Sequence, residues 1–328
     1  MACRSIKGKG TKHMWKYVLK RLLLTIPILL AVIFIVFTLL YFAPGDITMQ
    51  ILGTQWTPER SALLKHELGI DLPFFTQFFN YVKGIFTGNF GISYMTRESV
   101  AGMLAVSLPN TLYILLASVT LSVIIAIPMG ILAALKPNSF FSGFATVFAL
   151  IGVSAPAFWI GLLLMLLFSL KLGWLPSSGL ESFSAIILPS IVMSLTYLAS
   201  LSRTTRSSMI EAMRMDYIRT AKAKGVKEKT IVYKHALRNA LLPTVSLIGF
   251  IIGEMFGGAT IVETIFGIPG MGRLLVESVN KRDMNPVLGC VTVMAIGVAL
   301  MSILTDVTFA FLDPRIKAQY VSGGKIDG

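Results

Sequence analysis

Few residues in this sequence have the types and spacing that enzymatic chemistry requires. The three histidines, His13, His66 and His235, lie far apart, and none belongs to an H-E-x-x-H pair that would hold zinc. The sequence contains neither a G-x-S-x-G nucleophile turn nor a G-x-x-x-x-G-K-[ST] phosphate loop. We therefore expect a protein that is not an enzyme, binds no metal or cofactor itself, and cannot hydrolyse ATP through such a loop.

Two carboxylates lie within otherwise apolar stretches, Glu254 inside one and Asp306 near the end of another. A carboxylate at the centre of a membrane helix costs about 2.5–3.5 kcal/mol to insert, so Glu254 should face protein or water, or be protonated. It is either a hydrogen-bonded residue at a pore or interface, or a contact for a cationic group of a solute. Glu254 is thus a candidate for a translocation path, whereas Asp306 is interpreted as a helix cap or a residue reaching the inner surface.

The stretch Arg203–Arg238 is polar, free of proline and mostly helix-forming, with ten Lys or Arg residues against three acids. Within it, Asp216 could cap a short helix, and Gly225 could end that helix in the left-handed conformation. Four residues recur at helical spacing and predict one compact face: Tyr217, Ile218, Ala221 and Gly225. With Lys222 and Lys224 at its flanks, the helix suits either a groove on another protein or the surface of anionic lipid.

The carboxylates and the basic stretch described above must be positioned by helices formed from long, largely uncharged runs. The chain has 328 residues, of which 55% are hydrophobic and 14% charged, against about 25% charged in a typical soluble domain. Six runs are long enough to cross a hydrocarbon core of about 30 Å as helices: Leu22–Phe42, Ala101–Leu135, Phe140–Leu170, Ser182–Ser202, Asn239–Val262 and Met284–Thr305. The first is too long for a signal peptide and is interpreted as a retained span. We expect an all-α integral membrane protein with about six transmembrane helices.

The distribution of basic residues predicts the orientation of the chain. Seven Lys or Arg residues and no acid precede the first run, and ten more lie in Arg203–Arg238. Since basic loops mark the cytoplasmic side, both termini should lie in the cytoplasm. The expected organisation is a cytoplasmic segment 1–21, a first span 22–42, an extracytoplasmic segment 43–100, a five-helix core 101–312 with a cytoplasmic loop 203–238, and a cytoplasmic tail 313–328. Nucleic acid is not expected as a partner, because the basic loop offers only Tyr217 and Tyr233 for base stacking.

Two motifs resemble a known family. Asp216–Gly225 (DYIRTAKAKG) and His235–Pro243 (HALRNALLP) are similar to the coupling loop of ABC importer permeases in the dipeptide/oligopeptide/nickel branch. Residues 219–221 precede Gly225 at the spacing of the general Glu-Ala-Ala motif, although the Glu and first Ala are replaced. Shorter motifs in the same order extend the resemblance over nearly the whole chain: Pro44–Asp46, Gly88–Tyr94, Ser154–Trp159, Leu175–Gly179, Glu263–Gly272, Arg282–Asp283 and Leu312–Arg315.

The resemblance implies a type I ABC importer permease fold and a non-catalytic subunit that carries di- or oligopeptides across the cytoplasmic membrane. The large segment after the first span suggests the first (B-type) subunit of a permease pair. The implied partners are a homologous second permease, two ATPases that hold ATP and Mg, an extracellular or lipid-anchored solute-binding protein, and membrane lipid. Import of nickel or another small solute, a gradient-driven carrier working alone, and a non-transport scaffold or sensor are the alternatives.

The resemblance also implies roles for individual residues. The residues implied to contact an ATPase are those of the coupling loop: Asp216, Tyr217, Arg219, Thr220, Ala221, Lys224 and Gly225. The residues implied to form an external gate or to contact the binding protein are Glu263, Phe266, Pro269 and Gly270. Glu254 stands where an apolar residue is expected in this branch, so no family-wide role is implied for it.

Overall fold

The protein is built from long apolar helices. The computed structural model describes the backbone of residues 3–137, 139, 143 and 154–312, and the side chains of these residues except 3–18, 20 and 309–312. Within these residues, five helices are long and apolar enough to cross a membrane: Arg21–Tyr41, Val100–Leu135, Phe183–Arg214, Glu228–Ile265 and Met284–Thr308. The shorter apolar helix Ala157–Lys171 corresponds to the second half of the predicted third span, whose first half lies outside the described residues. The prediction of an all-α membrane fold is confirmed.

The described helices are numbered here in chain order: α1 (Cys3–Tyr41), α2 (Ile47–Leu52), α3 (Pro58–Leu68), α4 (Phe74–Phe86), α5 (Val100–Leu135), α6 (Ala157–Leu164), α7 (Ile187–Arg214), α8 (Asp216–Ala223), α9 (Glu228–Thr230), α10 (Leu237–Ile265), α11 (Met271–Asn280) and α12 (Met284–Leu312). The helix of α6 continues as a π-helix over Met165–Lys171, and that of α9 continues likewise over Ile231–Ala236.

The centre of the bundle is formed by α5, α7 and α10. Their buried side chains, such as Ile114, Leu198 and Met255, belong to one apolar cluster. Close approach of α5 and α7 depends on Gly130, since a Cβ there would lie 2.6 Å from the Cβ of Thr205. Small residues let membrane helices pack closely where hydrophobic driving force between them is absent.

The first span lies beside the last. Helix α1 packs mainly along α12, and the guanidinium of Arg21 pairs with the carboxylate of Asp306 at 3.0 Å. Asp306 therefore forms an interhelical ion pair, whereas the sequence predicted a cap or a residue reaching the membrane surface.

Segment 43–100 folds against the end of the bundle opposite α8. Its α4 places Phe74 and Phe78 edge-on against Phe34 and Phe37 of α1. Asp46 caps α2 by accepting the N–H of Thr48, and it pairs with Lys65 of α3 at 2.6 Å. Partial burial opposes the charge of Asp46, but the hydrogen bonds from Lys65 and Thr48 outweigh it and lower its pKa.

Candidate functional sites

The short helix α8 is held at the end of the bundle by its apolar side. Ile218 is fully buried and Ala221 is 9% exposed. They pack on the end of α7 and the start of the α9–α10 segment, in a cluster with Met209, Ala212, Ile231, Val232, Ala236 and Ala240. Helix α7 continues through Arg214 without a break, and α10 begins soon after residue 236, so the predicted loop 203–238 is largely helical. Helix α8 is thus packed on both α7 and the α9–α10 segment.

The opposite side of α8 is polar and exposed. The exposed residues of α8 are Asp216, Tyr217, Arg219, Thr220, Lys222 and Ala223, and the exposed Lys224 and Gly225 follow them. The Tyr217 hydroxyl accepts a 2.9 Å hydrogen bond from the Asn239 side chain, which fixes the ring at the edge of this surface. Asp216 and Arg219 lie 3.8 Å apart with side chains 96% and 79% exposed, so their attraction is largely screened by water.

Two details of α8 differ from the sequence interpretation. Met215 occupies the cap position, and the Asp216 side chain accepts no cap hydrogen bond, since Asp216 is already the first helical residue. The predicted four-residue face is also divided, because Ile218 and Ala221 point inward whereas Tyr217 and Gly225 are exposed. Adjacent residues on a helix are separated by about 100°, and packing here buries Ile218 and leaves Tyr217 exposed. Ala221 is buried on the inner side of α8 and helps to pack this helix on the bundle.

Gly225 behaves as predicted at the end of α8. Its φ of +72° lies in the left-handed region, where a side chain is disfavoured. The N–H groups of Gly225 and Val226 donate to the carbonyls of Lys222 and Ala221, at 3.0 and 3.2 Å. These bonds satisfy the last turn of the helix, as in a left-handed C-terminal cap.

At the other end of the bundle, Glu263 organises the connection between α10 and α11. Its buried carboxylate accepts hydrogen bonds from Thr111 Oγ1 of α5 at 2.6 Å, and from the N–H groups of Gly272 and Arg273 at 2.8 and 3.0 Å. Thr111 Oγ1 in turn accepts the N–H of Met271 at 2.8 Å. We call these residues the Glu263 cluster; a carboxylate at the start of α11 also matches the positive end of the helix dipole.

The four residues predicted as gate or binding-protein contacts therefore differ in exposure. Glu263, Phe266 and Gly270 are buried, and a Cβ at Gly270 would overlap the Glu263 carboxyl. Pro269 is exposed, and its carbonyl accepts a 2.9 Å bond from Asn110. Only Pro269 of these four presents a side chain at the surface, so the others can act on a partner only by shaping the loop.

A second cluster at this end was not anticipated from the sequence. The buried carboxylate of Asp283 accepts a hydrogen bond from the Ser93 hydroxyl and from the N–H groups of Tyr94 and Met95, at 3.0 and 3.3 Å. Asn285 donates to the carbonyl of Ile92 at 2.8 Å. These residues form the Asp283 cluster, which joins segment 43–100 to the start of α12. The motifs Gly88–Tyr94 and Arg282–Asp283 signalled its members but not their contact.

A cavity of about 250 Å³ lies beside the Asp283 cluster. Polar and aromatic side chains line it, among them Gln77, Asn80, Tyr81, Tyr94 and Asn285. Burial raises the pKa of Tyr94 to about 12 and also raises that of Tyr81, so both phenols are neutral at physiological pH. The Tyr81 hydroxyl lies 3.1 Å from Thr292 Oγ1, which ties α4 to α12.

Glu254 lies on an exposed face of α10, away from both clusters. Within the described residues, no hydrogen bond or ion pair to its carboxylate is present, and no group of three or more His, Cys, Asp or Glu side chains could hold a metal. The residues of α8 thus lie together at one end of the bundle, and those of the Glu263 cluster lie together at the other end. Glu254 is separate from both.

The fold and these sites define a multi-span membrane protein with a short helix, α8, packed at one end of its bundle. Residues 126–318 match the family of the binding-protein-dependent transport system inner membrane component, and residues 14–117 match the N-terminal family of the same membrane components. The chain is 38% identical over 304 residues to the glutathione transport system permease protein GsiC of Salmonella typhimurium, covering 93% of this chain and 99% of that protein. GsiC of Salmonella typhi and of Escherichia coli show the same identity and coverage.

The chain therefore belongs to the binding-protein-dependent transport permease family. It is a multi-pass membrane permease subunit of an ABC importer, and such subunits are non-catalytic.

Proposed function

We propose that this permease carries small peptides, and that the exposed face of α8 docks in a groove of an ATPase subunit. The observation that carries the docking proposal is the two-sided character of α8. One side is buried between α7 and α10, and the other presents polar and basic groups at the surface. The similar GsiC proteins are glutathione permeases, and glutathione is a short peptide, which supports a peptide cargo.

The mechanism follows from the mechanical continuity of α8 with the spans. Two ATPase subunits, which hold ATP and Mg, would close on nucleotide binding and displace α8. Because Ile218 and Ala221 are packed on both α7 and α10, these two spans would move together and change which side of the membrane the pathway faces. This subunit supplies no catalytic group to ATP hydrolysis.

The remaining partners are proposed from the family and from the surfaces that are exposed on this chain. A homologous second permease would pair with this one to enclose the pathway. A solute-binding protein would dock on segment 43–100 and on the α10–α11 connection, where Pro269 is exposed. In the proposed arrangement α8 and both termini lie in the cytoplasm, a proposal that the basic residues around α8 and before α1 support.

Gly225 offers a sharp test of the docking proposal. In Gly225→Leu, a side chain would project at a surface position that has no atom within 4 Å of the new Cβ. The variant should lose copurification of the ATPases and peptide uptake. Gly173→Leu is the matched control, because Gly173 also has positive φ and open space but lies between α6 and α7 at the other end of the bundle. Intact uptake and ATPase association in Gly225→Leu would refute the docking proposal.

The cargo is tested separately with the assembled importer in liposomes. Radiolabelled glutathione and an unmodified dipeptide should enter only when ATP is supplied to the ATPase subunits. Competition by nickel instead of peptide would contradict a peptide cargo, and uptake without ATP would indicate a gradient-driven carrier.

A further inference from the structure

Glu254 belongs to a continuous exposed stripe on α10. Five residues at helical spacing form this stripe: Phe250, Glu254, Gly257, Gly258 and Ile261. Glu254 lies about 16 Å along the helix from Ile265, at ~1.5 Å per residue, and is therefore well inside the span. An ionisable group at this depth faces a water-filled cavity or a polar partner, because lipid would leave its charge unsolvated.

A phenol from the neighbouring span completes the polar part of this stripe. The hydroxyl of Tyr197 on α7 lies 3.6 Å from the position that a Cβ on Gly258 would occupy, one helical turn from Glu254. No hydrogen bond to either side chain is present among the described residues, so the Glu254 carboxylate and the Tyr197 phenol, about one helical turn apart, both keep unused hydrogen-bonding capacity.

Two glycines leave space in front of these groups. A Cβ on Gly257 would meet no atom within 4 Å, and Gly258 meets only the Tyr197 hydroxyl. The backbone of α10 at these two glycines is therefore not covered by side chains beside Glu254 and Tyr197. A carboxylate, a phenolic oxygen and an aromatic ring attract a primary ammonium through charge, hydrogen bonding and contact with the ring face. They would repel a carboxylate.

We infer that Glu254 and Tyr197 form a site on the transport pathway that receives the ammonium group of the cargo. This inference rests on the proposed peptide function and specifies which end of the peptide the permease contacts. The site is carried by α7 and α10, the two spans that also hold α8. Movement of α8 therefore changes the spacing of the two groups, which provides a means of releasing the ammonium when access switches.

The test uses the complete importer in liposomes, with the solute-binding protein saturated by an unmodified dipeptide or by its N-acetyl derivative. Saturation of the binding protein by each probe is first verified by titration. Glu254→Gln should lower ATP-driven uptake of the unmodified dipeptide about tenfold or more, since it removes a charge-assisted contact. Uptake of the N-acetyl peptide, which has no ammonium group, should be slow in the wild type and unchanged in Glu254→Gln.

Two further variants separate ammonium binding from a structural role. Tyr197→Phe removes the hydroxyl but keeps the ring, so it should reduce dipeptide uptake less than Glu254→Gln does. Ile261→Gln places an amide on the same stripe without removing the carboxylate, and its uptake should remain near that of the wild type. Binding-protein-stimulated ATP hydrolysis should stay within about twofold of wild type in Ile261→Gln, which leaves both groups of the site in place.

Several outcomes would overturn the inference. An equal loss of uptake for both peptides in Glu254→Gln would indicate a structural residue, and loss of the second permease on purification would indicate a subunit contact. Equal dipeptide uptake by wild type and Glu254→Gln would eliminate the ammonium site and leave the peptide function intact. Failure of the wild-type importer to take up any peptide would instead overturn the peptide function, and the ammonium site with it.

Discussion

Thr111 and Glu263 lie 152 residues apart in the chain, yet the Thr111 hydroxyl donates a 2.6 Å hydrogen bond to the buried Glu263 carboxylate. The same hydroxyl accepts the N–H of Met271, and the same carboxylate accepts the N–H groups of Gly272 and Arg273. Two side chains thus satisfy three N–H groups at the start of α11 and fasten the α10–α11 connection to α5. The position of Pro269 at the surface depends on this arrangement.

Glu263→Gln should destabilise this end of the bundle. One carboxylate oxygen becomes an amide NH₂, which only donates, and the remaining oxygen cannot accept from both the Thr111 hydroxyl and the α11 N–H groups. We expect a loss of about 1–3 kcal/mol, read as a lower thermal midpoint of the purified importer. Thr264→Ala is the control, because Thr264 is exposed and its hydroxyl bonds only its own helix. An unchanged midpoint in Glu263→Gln would mean that the Glu263 cluster contributes no stability.

Gly45→Ala should displace Arg282. A Cβ on Gly45 would overlap the Arg282 guanidinium, and the φ of Gly45 is +123°. Gly88→Ala is the reference variant, because Gly88 has φ +72° and no atom within 4 Å of a new Cβ. Gly45→Ala should lose about 1–3 kcal/mol more than Gly88→Ala, mainly because a φ of +123° is less accessible to a side chain than +72°, whereas the flexible Arg282 guanidinium can move aside at small cost. Equal thermal midpoints of the two variants would contradict this difference in backbone strain.

Asp283→Asn should loosen segment 43–100 from α12. The variant weakens the hydrogen bonds that hold Ser93, Tyr94 and Met95, so the nearby Arg97 peptide bond becomes more accessible to trypsin. We expect cleavage after Arg97 to be faster by about tenfold or more, since roughly 1.4 kcal/mol corresponds to a factor of ten. Glu67→Gln, which removes only an exposed 3.4 Å pair with Arg97, should not accelerate cleavage.

The two sides of α8 should respond differently to substitution. Ile218→Ala leaves a cavity at a fully buried site and should cost about 2–5 kcal/mol of stability. Arg219→Ala, at an exposed site, should leave the thermal midpoint unchanged and reduce ATPase copurification. Thermal unfolding and pull-down of the ATPases measure the two effects independently. Loss of stability in Arg219→Ala without loss of copurification would contradict the proposed division of α8 into an inner and an outer side.

Asp46 should contribute an acid-sensitive component of stability. Its pKa is lowered from the ordinary 3.8, so the charged form is favoured in the folded state. The contribution is therefore present above the unfolded-state pKa and is lost as pH falls through the lowered folded-state value. Asp46→Asn keeps a side chain suited to helix capping but lacks the charge. Thermal midpoints of the variant should fall less than those of wild type between pH 5 and pH 3.

Bilayer thickness made the spans predictable, because each must supply an apolar run of sufficient length. The first predicted span, Leu22–Phe42, lies within α1 except for its last residue, since α1 ends at Tyr41. The uncharged run does not mark where α7 ends, because the helix continues twelve residues past Ser202 to Arg214. Leaving the hydrocarbon does not end a helix, and no proline or glycine between Ser202 and Arg214 interrupts it.

The sites were predictable only where they are local. Gly225 and the existence of α8 follow from a few neighbouring residues. The division of α8 into two sides does not follow from neighbouring residues. Packing on α7 and the α9–α10 segment decides that Ile218 is buried and Tyr217 is exposed. The Glu263 and Asp283 clusters join residues more than 150 positions apart, and one sequence carries no signal for such pairs.

The placement of α1 along α12 bears on how the chain is made. Helix α1 emerges from the ribosome first, and α12, its main neighbour, emerges last. During nearly the whole of synthesis, α1 must therefore reside in the bilayer without the helix it will contact, and the Arg21–Asp306 pair can form only after translation of α12. Assembly of this permease thus brings together the first and the last of the described helices.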